Sequence, residues 1–320
     1  MKKSFLIVAV SFVLFGLILG VVGLVLMKFD FNLLTTEEEI EKMYEIEEKF
    51  ESVSIDAKTA KVNILVSDDD KCHVEIKEKE NLFYTVAVEN GTLVIKHNDT
   101  RRWYNYIGII QNSNVIDLYM PAGVYKALNI GVDTGDVKVE SGFEFDVAGI
   151  DGDTSDIEFY SNVKSKFDCE TDTGDIKISG VDASIINLET DTGNINIANV
   201  NAENIKLDGD TSKLKLQNIN CKNIEIESDT GKVNLIGVIA ENSMKIKVAT
   251  CDVYLDACDA ADINIQTGTG DVEGTLLTNK VFVANSGTGK IQVPESYEGG
   301  KCNIKTGTGD IKIGIVDANN

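Results

Sequence analysis

One short segment recurs ten times along this 320-residue chain, and the recurrence limits the folds that the chain can adopt. Each copy centres on a Thr in a turn-like sequence such as Asp-Thr-Gly-Asp, and hydrophobic residues follow at alternate positions. Successive copies are 19 or 20 residues apart. The central residues are Thr134, Thr154, Thr173, Thr192, Thr211, Thr230, Thr250, Thr269, Thr288 and Thr308. A nearly constant period of this length predicts a stack of equivalent units.

The apolar residues around each Thr show which elements are stacked. Around Thr192 they fall at Ile186 and Leu188 before the turn and at Ile195 and Ile197 after it. This alternation predicts two strands that flank each turn. One copy is too small to bury its own apolar face, whereas stacked successive copies pair every strand with its equivalents about 4.8 Å away. The predicted fold is all-β, a parallel β-solenoid (β-helix) with rungs of 19–20 residues.

The N-terminus carries a different signal. Residues 5–27 contain no charged side chain and are numerous enough to cross a hydrocarbon core of about 30 Å as a helix. Lys2 and Lys3 precede this segment and the acidic run 37–39 follows it, so the positive-inside rule places the N-terminus in the cytoplasm. We therefore expect a single-pass protein of the cell membrane whose C-terminal domain is extracytoplasmic. A cleaved signal sequence is the alternative.

The regularity of the pattern divides the chain. Residues 36–49 are rich in Glu and are expected to form a short acidic helix or tether, and Thr59 has flanking residues like those of the later copies. The predicted segments are a cytoplasmic N-terminus at 1–4, a transmembrane helix at 5–27, an acidic juxtamembrane tether at 28–49, irregular N-terminal rungs and a cap at 50–131, and regular repeats at 132–320.

The charge of the chain excludes one class of partner. The formal net charge is −22, and it becomes −24 without Lys2 and Lys3, with 28 basic against 52 acidic residues. Nucleic acids and anionic lipid headgroups are bound by basic surfaces. We predict no nucleic-acid partner, and no binding of the domain to anionic headgroups.

Several motifs together resemble a known family. A Phe-x-x-Val-x-Ile strand at 50–55, a strand that closes on Met120-Pro121, an N-terminal apolar segment and the Thr-Gly-Asp repeats are similar to the bacterial "putative adhesin" family of β-strand-repeat domains of unknown function. The resemblance covers about residues 50–313. It implies a cell-envelope protein, and it supplies no catalytic residues.

Six cysteines could form disulfides if the domain is extracytoplasmic. Four of them, however, occupy columns that hold small or apolar residues in other copies: Cys169, Cys221, Cys258 and Cys302. These four are expected to be buried free thiols. A disulfide or a metal site remains an alternative, although the chain has no CxxC or Cys-His spacing.

Acidic residues recur on both sides of the central Thr. Stacked carboxylates repel one another, and a hard cation that bridges them would relieve the repulsion. The candidate calcium ligands are Asp133, Asp136, Asp153, Asp156, Asp172 and Asp175. Two interpretations remain open: these residues form turns, or they bind calcium weakly. No other cofactor is expected.

One segment interrupts the repeats and is a candidate ligand-binding site. It contains the single Trp of the chain and two adjacent arginines: Arg101, Arg102, Trp103, Tyr104 and Tyr106. Aromatic and Arg side chains are typical of recognition surfaces for proteins or glycans. The alternative is that these aromatics cap the open end of the first rung.

The chain offers few groups for catalysis. His73 and His97 are its only histidines, and neither accompanies a nucleophile motif or a phosphate-binding loop. We predict a non-enzymatic binding or adhesion module of the cell envelope, with an envelope protein or a glycan as partner. The alternatives are a structural spacer or self-associating scaffold and, less favoured, a polysaccharide-active enzyme.

Overall fold

The computed structural model describes residues 2–26, 28, 39–100 and 114–316. This part contains helix α1 (Lys2–Leu26) and twenty strands. The strands are β1 (Glu39–Ile46), β2 (Ser52–Lys58), β3 (Lys61–Val66), β4 (Cys72–Lys79), β5 (Leu82–Glu89), β6 (Thr92–Asp99), β7 (Val115–Met120), β8 (Gly123–Thr134), β9 (Val137–Val139), β10 (Phe143–Thr154), β11 (Ile157–Phe159), β12 (Asn162–Thr173), β13 (Ile176–Ser179), β14 (Asp182–Thr192), β15 (Ile195–Thr269), β16 (Val272–Leu276), β17 (Lys280–Ser286), β18 (Ile291–Gln292), β19 (Gly300–Thr308) and β20 (Ile311–Ile315).

The apolar segment near the N-terminus is helical, as expected. The part of α1 from Val8 to Leu26 is 19 residues long, and none of it is buried against the other residues that the structure describes. By length and composition it qualifies as a membrane span or as a signal sequence.

Parallel pairing between successive repeats builds the middle of the structure. β10 pairs with β8 on one side and with β12 on the other, and Thr154 lies opposite both Thr134 and Thr173. β12 pairs with β14, and β14 pairs with β15, with the same kind of register. The short strands after each turn pair in the same way. The alignment of the repeats is therefore confirmed, because equivalent residues of neighbouring copies lie side by side. We call this array the stack.

β15 covers 75 residues in which the chain turns through several repeats. Side chains 19 residues apart bond to each other within it, as Asn218 Nδ2 does to Asn199 Oδ1 at 3.0 Å. Inward residues such as Leu214 and Ile224 are fully buried, and they join a continuous apolar core that extends from Val53 to Ile313. Each copy buries its apolar face only by stacking.

At the N-terminal end, chain order and spatial order differ. β2 lies between β6 and β8, and β3 lies between β7 and β9, all in parallel. Ile55 therefore has Ile95 on one side and Ile130 on the other. β4 and β5 continue this end of the stack with antiparallel pairing to β7 and β6.

The acidic helix or tether expected around residues 36–49 is corrected in part. Residues 39–46 form β1, which pairs antiparallel with β4 over eight residues. Tyr44 and Ile46 pack against the core, and Lys42 forms an ion pair with the buried Glu78. A helix this short is marginal in water, whereas the edge of β4 offers a full row of backbone partners. Pairing with β4 therefore outweighs the local preference of residues 39–46 for a helix.

At the C-terminal end, the expectation that successive copies stack in chain order is wrong. β19 lies between β15 and β17, so Thr308 is opposite Thr269, and the copy that contains Thr288 is outermost. The last copy supplies the fully buried side chains Ile304 and Ile311. In this order the small Cys302 lies between Ile263 and Phe282, and the larger Phe282 lies on the outermost rung.

Candidate ligand-binding surfaces

The residue two positions after the central Thr is usually Asp, and we call these residues the turn aspartates. They are Asp136, Asp156, Asp175, Asp252, Asp271 and Asp310. Asp156 Oδ1 accepts the backbone N–H of Asp175 at 2.8 Å, and Asp175 Oδ1 accepts the N–H of Asn194 at 2.7 Å. The same bond links 252 to 271, 271 to 310 and 310 to 290. A turn aspartate thus joins its own rung to the next one.

Ion pairs engage two of the candidate calcium ligands at the first regular turn. Lys58 Nζ lies 3.0 Å from Asp133 Oδ1, and Lys61 Nζ lies 4.0 Å from Asp136 Oδ2. The others, at 153, 156, 172 and 175, continue the same two outward columns. Within the described residues, no three His, Cys, Asp or Glu side chains come together as metal ligands would. Calcium binding stays a prediction.

Two positions face the inside of each turn, two residues before the central Thr and one residue after it. A Gly occupies one of them in every copy except that of Thr250, where Val248 and Cys251 are both buried. Thr171 Oγ1 donates to the Ser155 carbonyl at 3.2 Å, and Thr190 Oγ1 donates to the Gly174 carbonyl at 3.2 Å. Thr171 and Thr190 lie two residues before their central Thr, and Gly152 is the equivalent residue of the copy in which Ser155 replaces the usual Gly. A Cβ at position 152 would lie only 2.9 Å from the Ser155 side chain. Gly209 and Ser212 repeat this exchange. The two positions therefore share one volume.

A second acidic column lies three residues before the five successive central Thr residues from Thr154 to Thr230, and we call it the face ladder. It consists of Asp151, Glu170, Glu189, Asp208 and Glu227. Glu170 lies directly opposite both Asp151 and Glu189 on its neighbouring strands. Partial burial, and then the charges of Glu189 and Asp151, raise the pKa of Glu170. Burial is also the main cause that raises the pKa of Asp208. Sequence reasoning missed this ladder, although its 19-residue period is visible in the sequence.

A polar groove of about 550 Å³ crosses several rungs on another side of the stack. One wall is a series of residues joined by hydrogen bonds. Asn162 Oδ1 accepts the backbone N–H of Asp182, Asp182 Oδ1 accepts Asn201 Nδ2, and Asn201 Oδ1 accepts Asn220 Nδ2. The floor consists of small residues: Ala183, Ala202 and Cys221. The other wall carries charges of both signs, including Lys222, whose Nζ lies 2.7 Å from Glu203 Oε1. Such a groove is open and periodic, and it offers donors and acceptors along its whole length.

The chain matches the Toastrack DUF4097 domain family in two overlapping segments, 50–210 and 186–320. These segments include every residue of the stack from β2 onward. The chain belongs to this family. The resemblance inferred from the repeats is thereby confirmed, and no protein in the curated set matches the Toastrack chain.

Three solved structures from Bacteroides and Parabacteroides species align with most of this chain. A "putative adhesin" of Bacteroides fragilis is 16% identical, with a TM-score of 0.44, and the alignment covers 88% of this chain and 98% of that one. A "putative lipid binding protein" of Parabacteroides distasonis is 14% identical, with a TM-score of 0.47 and coverages of 86% and 96%. A "putative adhesin" of the same species is 12% identical, with a TM-score of 0.43 and coverages of 85% and 98%.

The aromatic and arginine segment predicted as a binding site lies outside the described residues. This applies to Arg101, Arg102, Trp103, Tyr104 and Tyr106. The histidines are both described. His73 stacks on Tyr119 with ring centroids 4.5 Å apart, and His97 packs edge-on against Tyr84 at 5.6 Å. These ring contacts give both imidazoles a packing role in the N-terminal strands.

All six cysteines of the Toastrack chain are free and buried. Cys169, Cys221, Cys258 and Cys302 face the core, as the repeat alignment predicts. Burial raises the pKa of Cys221 and of Cys302 to about 12 and raises that of Cys169 further. A thiol so far from its reactive thiolate form behaves as a small apolar side chain.

Proposed function

We propose that this chain is a cell-envelope binding or adhesion module that α1 anchors in the membrane. In this proposal residues 1–4 lie in the cytoplasm, and the stack lies on the extracytoplasmic side as a regular solenoid with one turn per rung. Lys2 and Lys3 at the start of α1 and the Glu residues that follow the helix support this orientation. The Toastrack match supports a general binding role, because the similar solved structures bear the names of adhesins or of a lipid-binding protein.

The polar groove is the single observation that carries the proposal. Its donors and acceptors repeat at the spacing of the rungs, so it can hydrogen-bond an extended polymer at several successive points. An enzyme instead needs a few groups that converge on one reacting atom. The small floor residues leave room for a chain of sugar or peptide units. The turn aspartates serve the fold in this proposal, because their carboxylates are engaged by backbone N–H groups.

Blocking the groove tests the proposed function. Full-length protein in lipid nanodiscs should co-sediment with purified peptidoglycan or be retained by immobilised envelope glycans. Ala202→Tyr fills the floor of the groove and should reduce retention at least tenfold, while Ala87→Tyr, at an exposed position of β5, should leave it unchanged. Equal retention of both variants, or no retention of the unmodified chain by any envelope fraction, would reject binding through this groove.

The proposed orientation has its own test. An alkaline phosphatase fused to the C-terminus is active only when it is exported, so this fusion should be active in cells. A fusion that is active only when it is attached before Lys2 would reverse the topology.

A further inference from the structure

The strand at the C-terminal end of the stack has one free edge. Within the described residues, β17 has a paired register with β19 alone. At the other end of the stack, antiparallel strands β4 and β5 cover the first parallel rung. An uncovered edge strand is a template for pairing with another chain.

The backbone of β17 has a fixed orientation toward this edge. Gly287 N–H donates to the Thr306 carbonyl of β19 at 3.2 Å. Alternate residues of a parallel strand direct their N–H and C=O groups to the same side, so Val283 also faces β19. Phe282 and Ala284 therefore direct theirs to the free edge. Their side chains belong to the inward columns and pack against the core.

The features that usually protect an edge strand are missing from β17. No Pro lies within 280–286. Its one lysine, Lys280, is only 3% exposed and is held by Asp259, with Nζ 2.5 Å from Oδ1. The outward side chains are instead apolar: Val281 is 37% exposed and Val283 is 63% exposed. Natural edges are guarded by outward Lys and Pro residues, which prevent association.

Charge also distinguishes this end of the molecule. Residues 280–316 carry five lysines and three acidic residues, a net charge of +2, in a chain whose net charge is −22. Two copies repel each other through the acidic columns of the stack, whereas their C-terminal ends can approach without such repulsion. The C-terminal end of a second copy carries only a small positive charge, so two copies repel each other less there than through their acidic columns.

We propose that a second copy of this chain pairs with β17 by antiparallel β-augmentation around a twofold axis at Val283. In this arrangement Phe282 and Ala284 form hydrogen-bonded pairs across the axis. Val283 faces its own counterpart as a non-hydrogen-bonded pair, with Cα atoms about 4.5 Å apart. The outward valines bury one another, and the inward columns of the two stacks become continuous. The interface is isologous and therefore closes at two copies.

The arrangement has a consequence for adhesion. The two α1 helices precede opposite ends of the joined stacks, so the pair can bridge two facing membranes. This consequence rests on the proposed extracytoplasmic orientation, whereas the pairing itself does not. A self-associating scaffold is the alternative function that the repeats leave open, and the free edge of β17 is the surface through which such a scaffold would assemble.

Charge at the edge provides the first test. Full-length chains are placed one per nanodisc, so that contacts between α1 helices cannot pair them, and paired discs are counted by mass photometry. Val283→Lys should reduce the paired fraction at least tenfold. The matched control Val124→Lys, at a valine of β8 that is 71% exposed, should not. Unpaired discs of the unmodified chain, or pairing that survives Val283→Lys, would overturn the proposal.

Disulfide trapping tests the register and does not depend on the Lys variant remaining folded. Val283→Cys should cross-link two chains under mild oxidation, because about 4.5 Å between Cα atoms suits a disulfide. Val281→Cys should not, since the two copies of residue 281 would be about 14 Å apart at about 3.4 Å per residue. Equal cross-linking of both, or none at 283, would overturn the twofold pairing. Loss of groove binding with pairing retained would reject only the proposed function.

Discussion

The turn aspartates and the face ladder are two acidic columns of one stack, yet their surroundings differ. A turn aspartate such as Asp175 accepts two hydrogen bonds from Asn194, at 2.7 Å from the backbone N–H and 2.9 Å from Nδ2. In the face ladder, Glu170 lies between the carboxylates of two neighbouring strands, and its pKa is raised. The first kind of column links rungs, whereas the second opposes their close approach.

The difference shows that periodic Asp and Glu residues have no single meaning in a repeat. A carboxylate beside a turn finds backbone N–H groups that no strand partner uses, and a charged acceptor strengthens such a bond. A carboxylate in mid-strand finds its neighbours' N–H groups already engaged in the ladder. For Glu170 the neighbours in the same column are the acidic residues of the adjacent rungs, about 4.8 Å away. Only where the ladder ends does a cation follow in the column, as Lys247 Nζ lies 3.3 Å from Glu227 Oε1.

The largest expected loss of stability comes from overfilling the space inside a turn. Gly209→Thr places a side chain against Ser212, because a Cβ at position 209 would lie 2.2 Å from Ser212 Oγ. Overpacking of this kind should lower the free energy of unfolding by about 2 kcal/mol. Adding Ser212→Gly reproduces the Thr190 and Gly193 arrangement and should restore most of the loss. Urea unfolding of the full chain in detergent, followed by circular dichroism, measures both variants; additive losses would contradict the shared volume.

The hydrogen bonds of the turn aspartates predict a smaller effect. Asp175→Ala should lower the free energy of unfolding by about 1 kcal/mol, because the Asn194 N–H loses its acceptor. Asp175→Asn keeps an acceptor oxygen and should lose less. The control Asp172→Ala removes an exposed carboxylate from the neighbouring column and should change stability by less than about 0.5 kcal/mol. If both alanine variants lower stability equally, the hydrogen bonds of the turn aspartates contribute no specific stabilisation.

The face ladder should make the protein less stable as pH rises. The raised pKa of Glu170 means that the folded state binds its proton more tightly than the unfolded state, so this group lowers stability as pH rises above about 4.5. Glu170→Gln should therefore stabilise the protein at pH 7, by less than about 0.5 kcal/mol because the site is exposed. The gain should vanish below the ordinary carboxyl pKa. Melting curves at pH 4 and pH 7 provide the measurement.

Glu225, in an adjacent column, is the matched control, because its pKa is lowered whereas that of Glu170 is raised. Its ion pair with Lys245 lowers its pKa, so its contribution to stability is present above pH 4.5 and is lost as pH falls through the depressed value. Glu225→Gln should slightly destabilise the protein at pH 7. A stabilisation by both glutamine variants would show that net charge alone controls the effect.

The smallest expected effect separates screening from specific calcium binding. Salt should raise the melting temperature slightly by screening the face ladder. Calcium and magnesium at matched ionic strength should agree within about 1 °C, since a ligand stabilises by mass action only when it prefers the folded state. A calcium-specific rise of about 10 °C would assign the acidic columns to metal binding.

Much of the fold follows from the sequence through its period. The period of 19 or 20 residues fixes which residues become neighbours, so the pairing of Thr154 with Thr173 and the burial of Cys169 were predictable. Alternate apolar residues assign each side chain to the core or to solvent without knowledge of any distant contact. The apolar N-terminal helix follows equally from composition.

The tertiary structure alone decided what happens where the period ends. Residues 39–46 pair with the edge of β4 as strand β1 and do not form a helix. The copy that contains Thr308 lies between the copies that contain Thr269 and Thr288. The groove was equally hidden, because its walls and floor meet only after the rungs are stacked. Local periodicity determines how one copy pairs with an equivalent copy, whereas the choice among equivalent copies depends on the total apolar area that each order buries.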